Sequence, residues 1–326
     1  MRIRSDAAYD VAALGELLID FTQNGASEQG NLLFEANPGG APANVLAMLR
    51  KLGHSCAFLG KVGADGFGDL LADTLRAEGI DVRGLRRDGE VRTTLAVVHT
   101  HANGDRDFTF YRNPGADVRL CADELDDAVL RSCRVFHFGS LSLTDEPCRT
   151  TTQRALETAR ASNALISFDP NLRPPLWRDA DAARAQIAWG LGQCDVLKIA
   201  DDELRFMTGE DDLTRGAAAL RERYPNIRLL NVTAGALGSY AHCGELSVFE
   251  PACALGGVIE TTGAGDTFCA SVLHELLTRG VENLTEARLH EMLRFANAAA
   301  YLVTTRRGAL RSMPEPSEID AVLARM

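Results

Sequence analysis

Strand-like and helix-like stretches alternate along this chain to its end, and no internal repeat or Pro/Gly/Ser-rich linker divides it. Alternation of that kind leaves few folds open. Short apolar runs need partners on both edges, and the helices between them need a sheet to cover. The pattern therefore predicts an α/β fold: a doubly wound, mainly parallel sheet with helices on both faces. Asp10–Asp20 opens with an apolar run of strand length. Pro42–Leu52 puts Val45, Leu46, Met48, Leu49 and Leu52 on one helical face, with Pro near the start and Gly53 as the stop. Phe67–Glu78 repeats the pattern with Phe67, Leu70, Leu71 and Leu75 before Gly79. From Val135 the expected order is strand 135–141, helix 147–161, strand 164–169, helix 180–192, strand 195–200, helices 201–207 and 213–223, and strand 227–233. Two short strands follow within 238–250, then a helix from Gly263 and another from Glu286.

One segment breaks the rhythm. Thr93–His101 and Asp107–Arg112 are β-rich runs around Asn103-Gly104, which predicts a hairpin. It reads as an insertion projecting from the sheet. Such a projection covers a cleft at the carboxyl ends of the strands, where open α/β sheets bind ligands.

Size and charge narrow the function. At 326 residues near three quarters of the unfolded surface can be buried, so a full core is expected. With 46% hydrophobic and 24% charged residues, a disordered or low-complexity chain is excluded. Lys plus Arg number 34 against 45 Asp plus Glu, a net charge of −11. That balance argues against nucleic-acid and anionic-membrane partners. An anionic substrate would need local amide donors, a few placed cations or a metal ion. No apolar run reaches membrane-span length, and Met1–Asp10 holds no signal-peptide core. Cys56, Cys121, Cys133, Cys148, Cys194, Cys243, Cys253 and Cys269 show no CxxC and no Cys/His ligand spacing. They read as reduced, mostly buried thiols of a cytoplasmic protein.

Three stretches can carry chemistry. In Glu260-Thr-Thr262-Gly263-Ala264-Gly265-Asp266, the glycines allow a sharp turn and close approach to a ligand. Phe268, Val272 and Leu276 share a face, so a buried helix starts there, and its N–H groups suit a phosphate or developing oxyanion. Asp266 sits in that first turn; the plain alternative is an acidic residue stabilising the helix dipole. Asn37-Pro-Gly39-Gly40-Ala-Pro42-Ala-Asn44 is a glycine turn entering a helix, with Asn44 able to donate and accept; its alternative is a capped helix entry. Phe168-Asp169-Pro-Asn171-Leu-Arg173 ends an apolar strand, a good place for an active-site Arg, or else a loop bonded to its own backbone. Thr233-Ala-Gly235-Ala-Leu-Gly238 after a strand fits a nucleotide-binding turn. There is no GxxxxGK(S/T) loop, no GxGxxG after the first strand, no second His for a zinc helix and no GxSxG.

In this order the segments resemble the ribokinase-like (PfkB-type) carbohydrate kinases over about residues 10–314. Gly39-Gly40…Asn44, continuing through Gly60-Lys-Val-Gly63-Ala-Asp65-Gly66-Phe-Gly68, is similar to the family's first signature, and Thr261-Thr-Gly-Ala-Gly-Asp266 to its second. Within the family the likeness to fructokinases rests on Gly15-Glu16-Leu-Leu-Ile-Asp20-Phe21, Phe108-Thr-Phe-Tyr111-Arg112-Asn113-Pro114-Gly-Ala-Asp117, Phe136-His-Phe-Gly139-Ser-Leu-Ser142 and Phe168–Trp177.

The resemblance implies one three-layer ribokinase-like domain over residues 1–326, with a small β-lid from about 17–36 and 91–114. It implies ATP-dependent phosphorylation of a primary sugar hydroxyl, fructose to fructose 6-phosphate, with Mg2+ and possible K+ activation. Asp266 is then the catalytic base, and the amides of Gly263, Ala264 and Gly265 the anion hole. Asp20, Gly39, Gly40 and Asn44 contact sugar, with Arg112 and Arg173 as further substrate contacts. Lys198, Glu203, Thr233, Gly235, Gly238 and Asn297 fall on the nucleotide side, with Glu203 acting on magnesium through water. Glu260 and Thr262 mark a monovalent-cation site, although the family usually has Asp where this chain has Glu260. The family's Asn-x-x-Glu pattern is here Ala200-Asp-Asp-Glu203. A homodimer through the lid is a further family expectation. The same resemblance leaves a 2-keto-3-deoxygluconate kinase, an aminoimidazole riboside kinase and a catalytically silent sugar-sensing protein as rivals.

Physical chemistry agrees with the kinase reading. Phosphoryl transfer needs in-line placement and charge stabilisation more than covalent help. A carboxylate beside the hydroxyl takes its proton, amides at a helix start stabilise the phosphate, and a flap excludes water.

Overall fold

The computed structural model describes residues 7–100, 106–282 and 284–326. In chain order its strands are β1 (Tyr9–Leu14), β2 (Leu18–Ala26), β3 (Leu32–Gly39), β4 (Cys56–Gly63), β5 (Asp81–Asp88), β6 (Leu95–Thr100), β7 (Arg106–Tyr111), β8 (Cys133–Gly139), β9 (Leu165–Asp169), β10 (Val196–Ala200), β11 (Leu229–Thr233), β12 (Gly238–Cys243) and β13 (Leu246–Pro251). Its α-helices are α1 (Ala41–Lys51), α2 (Gly66–Ala77), α3 (Asp127–Arg131), α4 (Cys148–Ala161), α5 (Ala180–Leu191), α6 (Asp201–Thr208), α7 (Leu213–Arg223), α8 (Ala264–Arg279), α9 (Glu286–Thr304) and α10 (Pro316–Leu323).

Nine strands form one sheet in the order β13-β12-β11-β10-β9-β8-β1-β4-β5. It is parallel from β5 to β11, and β12 and β13 add antiparallel at one edge. β1 lies between β4 and β8, with Val11 opposite both Cys56 and Val135. Because side chains alternate along a strand, β1 feeds two cores. Val11 and Ala13 join the layer of Val45, Met48, Phe268 and Leu293 from α1, α8 and α9. Ala12 and Leu14 join the layer of Phe136, Phe138, Leu156 and Ile187 on the other face. Helices thus cover both faces, as the alternation predicts.

Most expected elements stand within two residues of their expected ends; helix 213–223 matches at both. Two strands were not anticipated. β4 carries Gly60, Lys61 and Gly63, residue types uncommon in a buried strand, yet it is buried throughout. Lys61 is tolerated there because Glu124 lies 2.8 Å from its ammonium. β5 (DVRGLRRD) is an edge strand, and its partly exposed arginines hid it.

A second, four-stranded sheet has the order β3-β2-β6-β7. β2 pairs antiparallel with β3 and parallel with β6, and β6 pairs antiparallel with β7. The hairpin read from 93–112 is therefore one half of a larger element; its turn at Asn103-Gly104 lies outside the described residues. Asn37, Asp20, Ala96 and Phe110 align as one row across all four strands.

All eight cysteines are free thiols; five are buried and three partly so. No helix among the described residues is long and apolar enough to cross a membrane.

Candidate active site

The strand order reverses at β1, where a doubly wound sheet opens a crevice. An open cleft of about 1010 Å3 lies there, lined by residues just past the carboxyl ends of the strands. Glu16 comes after β1, Leu141 after β8, Asn171 and Arg173 after β9, and Asp201–Glu203 after β10, while Thr233 and Gly235 lie at the end of β11. The first turn of α8 forms one wall, and Asp20 and Phe110 of the small sheet form another.

Asp266 sits in that first turn. Gly263 caps it with φ 81°, a left-handed conformation that favours glycine. α8 is buried from Asp266 to Leu273 and packs on α1 and α9, so the turn is fixed by the core. Asn44 Nδ2 donates to Asp266 Oδ2 at 2.7 Å, and Asn171 Nδ2 to Oδ1 at 3.4 Å. The carboxyl is pushed up to about 6, chiefly by burial and then by the charge of Asp169; Asn44, Lys198 and Arg173 pull it down. Such a group is ionised at neutral pH yet remains a useful proton acceptor. Asn44 also lines the cleft, and its Oδ1 is buried without a partner among the described residues, an acceptor beside the base that a hydroxyl would satisfy.

Of the expected anion-hole amides, Ala264 N–H already donates to the Thr261 carbonyl at 3.2 Å. Helix geometry leaves the Gly265 and Asp266 N–H groups at this turn without an intrahelical acceptor. Lys198 adds a cation there. Its Nζ stands 3.1 Å from both Asp169 oxygens. Burial pulls its pKa down, but Asp169, Glu203 and Asp266 outweigh that and hold it above the ordinary value.

Asp20 reaches the cleft from β2. Burial pushes its carboxyl up to about 7; Arg173 lowers it, and Glu260 and Asp266 raise it further. Gly40, the N-cap of α1, has φ 124°, and a Cβ there would lie 2.4 Å from the Glu16 carbonyl oxygen. Glu203 lines the cleft with both oxygens engaged: Oε1 accepts from Leu172 N–H at 2.7 Å and Oε2 from Ala200 N–H at 2.8 Å. Asn297 of α9 bonds Ser239 Oγ, Glu250 O and Pro251 O, tying α9 to β12 and β13 beside Gly238. Glu260 and Thr262 line the cleft too, and Gly308 N–H points at Glu260 Oε2 from 3.5 Å.

Two expected residues are elsewhere. Gly39 ends β3 outside the lining. Arg112 does not line the cleft: its side chain is 3% exposed and paired with Asp117 at 2.6 Å, with further bonds to Thr144 Oγ1 and Leu141 O. Three residues went unassigned in the sequence. Asn171 and Asp169 lie inside a stretch already singled out; nothing local distinguished them from Arg173. Glu16 is buried, its Oε1 accepts from Ala41 N–H at 2.8 Å, and burial pushes its carboxyl up to about 7.

No group of three or more His, Cys, Asp or Glu side chains among the described residues has the geometry to hold a metal ion. A divalent cation in this cleft would arrive on a ligand's phosphates and keep most of its water, the usual habit of magnesium.

The sequence profile described as pfkB family carbohydrate kinase matches residues 8–316. Probable fructokinase-7 of Arabidopsis thaliana is 42% identical over 323 residues, 96% of this chain and 92% of that protein. The ATP-bound fructokinase structure from Xylella fastidiosa has a TM-score of 0.87 at 29% identity, covering 97% of this chain and 99% of that one. A fructokinase double mutant from Vibrio cholerae O395, in a fructose-, ADP- and potassium-bound form, has a TM-score of 0.85 at 30% identity, covering 98% and 100%.

Proposed function

The chain belongs to the pfkB family of carbohydrate kinases, and from that premise we propose that it is a fructokinase, moving the γ-phosphoryl group of ATP to the primary hydroxyl of D-fructose to give fructose 6-phosphate and ADP. The observation that carries this reading is the Asn44–Asp266 pair at the start of α8, with a proton acceptor, an unpartnered hydrogen-bond acceptor and a helix N-terminus in one cleft.

In this reading Asp266 accepts the hydroxyl proton as the sugar oxygen attacks phosphorus in line. Asp20, Gly40, Asn44 and Arg173 hold the sugar. The N–H groups of Gly265 and Asp266, with Lys198 beside them, stabilise charge on the transferred group. The nucleotide lies along Thr233, Gly235, Gly238 and Asn297. Magnesium enters as part of the nucleotide and screens its phosphate charge; Glu203, already tied by two amides, meets it through water. The small sheet serves as a lid whose Asp20 row closes over the acceptor and excludes water, and its edge is a candidate surface for a homodimer. Potassium, bound in the Vibrio cholerae structure, would have to accept the longer carboxylate of Glu260 here.

Arg112 separates this reading from a 2-keto-3-deoxygluconate kinase. A sugar acid needs a cationic clamp, and the guanidinium that could share it with Arg173 is committed to Asp117. The remaining wall carries Asp20, Asp266 and Glu260, which repel a carboxylate. A coupled ADP-release assay over a sugar panel tests the proposal. Stimulation by fructose supports it. Stimulation only by a sugar acid or by aminoimidazole riboside replaces it, and no stimulation by any sugar makes the protein a silent sensor.

A further inference from the structure

The β6–β7 hairpin is fastened at its base by one buried carboxylate. Thr94, just before β6, donates its hydroxyl to Asp117 Oδ1 at 2.5 Å. Arg112, just after β7, places Nε 2.8 Å and Nη2 2.6 Å from Asp117 Oδ2. The chain entering the hairpin and the chain leaving it therefore meet on the same side chain. The guanidinium also reaches the main body: Nη1 donates to Thr144 Oγ1 and Nη2 to the Leu141 carbonyl, each at 2.9 Å. The cluster is dry, with Thr94 1% exposed and the Arg112 and Asp117 side chains 3% and 2%. It also has no spare room. A Cβ on Gly115 would lie 1.9 Å from Thr94 Oγ1 and 2.7 Å from Asp117 Oδ1.

Two residues beyond the cluster on each strand are Ala96 and Phe110, which align with Asp20 across the sheet. Alternation puts Thr94 with Ala96, and Phe110 with Arg112, on one face. Asp20, Phe110 and Leu141 all line the cleft, whereas Thr94 and Asp117 do not. We propose that the Thr94–Asp117–Arg112 clasp fixes the height of the Asp20–Phe110 row over Asp266, which makes Thr94 and Asp117 positioning residues for the acceptor sugar. The proposal rests on the fructokinase reading for its substrate.

Thr94→Val tests it on the full chain, because it removes one buried hydrogen bond and leaves the Arg112–Asp117 pair balanced. Gly115→Ala is the second variant, since its methyl group displaces the Thr94 hydroxyl. Thr94→Ser is the rescue. Four quantities are measured: fructose KM, ATP KM, the share of ADP released without sugar, and amide hydrogen exchange over 95–111 against β1, β4 and β8. Thr94→Val and Gly115→Ala are expected to raise fructose KM about tenfold, the scale of one buried hydrogen bond. Sugar-free ADP release should rise, ATP KM should hold, exchange should quicken only over 95–111, and Thr94→Ser, which keeps the hydroxyl, should match wild type in all four. Unchanged exchange in both variants overturns the clasp. Faster exchange with wild-type fructose KM and coupling reduces it to a structural tie and overturns the positioning role. If wild-type protein itself shows no fructose-stimulated ADP release, the fructokinase reading fails instead. The exchange comparison then still decides the clasp, and KM is read with whichever panel sugar stimulates; stimulation by none overturns the positioning role.

Discussion

The ammonium of Lys198 occupies the place that a side chain on residue 265 would need: a Cβ on Gly265 would lie 2.9 Å from Lys198 Nζ. The second glycine of the α8 turn thus admits a cation to the helix N-terminus, so dipole and ammonium act on one point. Gly265→Ala is expected to fold, because the far end of a lysine can retreat. The ammonium would move toward Asp169 and away from the transferred phosphate. We expect kcat to fall about tenfold or more, within the range for losing one oxyanion-type donor, with melting temperature nearly unchanged. Steady-state kinetics and a melting curve on one preparation check it; wild-type kcat would remove Lys198 from the chemistry.

Asp266→Asn keeps the size of the side chain and loses the base. A kcat lower by about 10²–10⁴ is expected, with ATP and fructose affinities little changed. The stability effect has a definite sign. The folded carboxyl titrates near 6 and the ordinary value is 3.8, so the folded state holds the proton more tightly. That contribution to stability is full below about pH 4 and is lost as pH rises past 6. The Asn variant escapes this loss, so its melting temperature at pH 8 should equal or exceed that of wild type. A lowered melting temperature with normal turnover would instead mark Asp266 as a helix-end charge.

The same titration shapes activity. Asp266 at about 6 and Asp20 at about 7 share one cleft, and the charge of Asp266 helps to raise Asp20. We expect kcat/KM for fructose to rise from pH 5.5 to about 7.5 with an apparent midpoint between the two values. Asp20→Asn should shift that midpoint downward, toward 6, by removing the higher of the two titrations. A midpoint near 4 in wild type would contradict the buried carboxyl.

Arg173→Ala is expected to raise fructose KM at least tenfold while the protein remains folded, since Arg173 follows β9, lines the cleft and is only partly buried. Circular dichroism and KM measured together decide it; an unfolded variant would make the residue structural.

Much of this was legible in the chain. The α8 start was visible because Gly263 and Gly265 make a turn beside Asp266 just before the apolar face of Phe268, Val272 and Leu276, and the strand–helix alternation fixed the layers. Two things were not. The resemblance offers Arg112 as a substrate contact, and nothing local in the sequence shows that Asp117, five residues on, folds back to take its charge. The Asn37–Asp20–Ala96–Phe110 row was hidden as well, because β2 and β6 pair across more than seventy residues and local periodicity carries no register.

Glu260 yields a sharper cation expectation. If its extra methylene crowds the cation, wild type should respond weakly to potassium over sodium, and Glu260→Asp should strengthen the response. Assays in potassium, sodium and a bulky organic cation check it; a strong, saturable potassium response in wild type would show that the longer carboxylate still fits.

The small sheet is written in two instalments, one between β1 and α1 and the other after β5, joined where β2 runs beside β6. Neither instalment is a sheet by itself, since a lone hairpin is marginal in water. Deleting one would leave the nine-stranded sheet intact but expose a raw strand edge on the other and strip Asp20 of its support. Divergence within such a lineage can therefore reshape this small sheet or discard it whole, but cannot trim it by halves: two distant insertions are inherited as one trait.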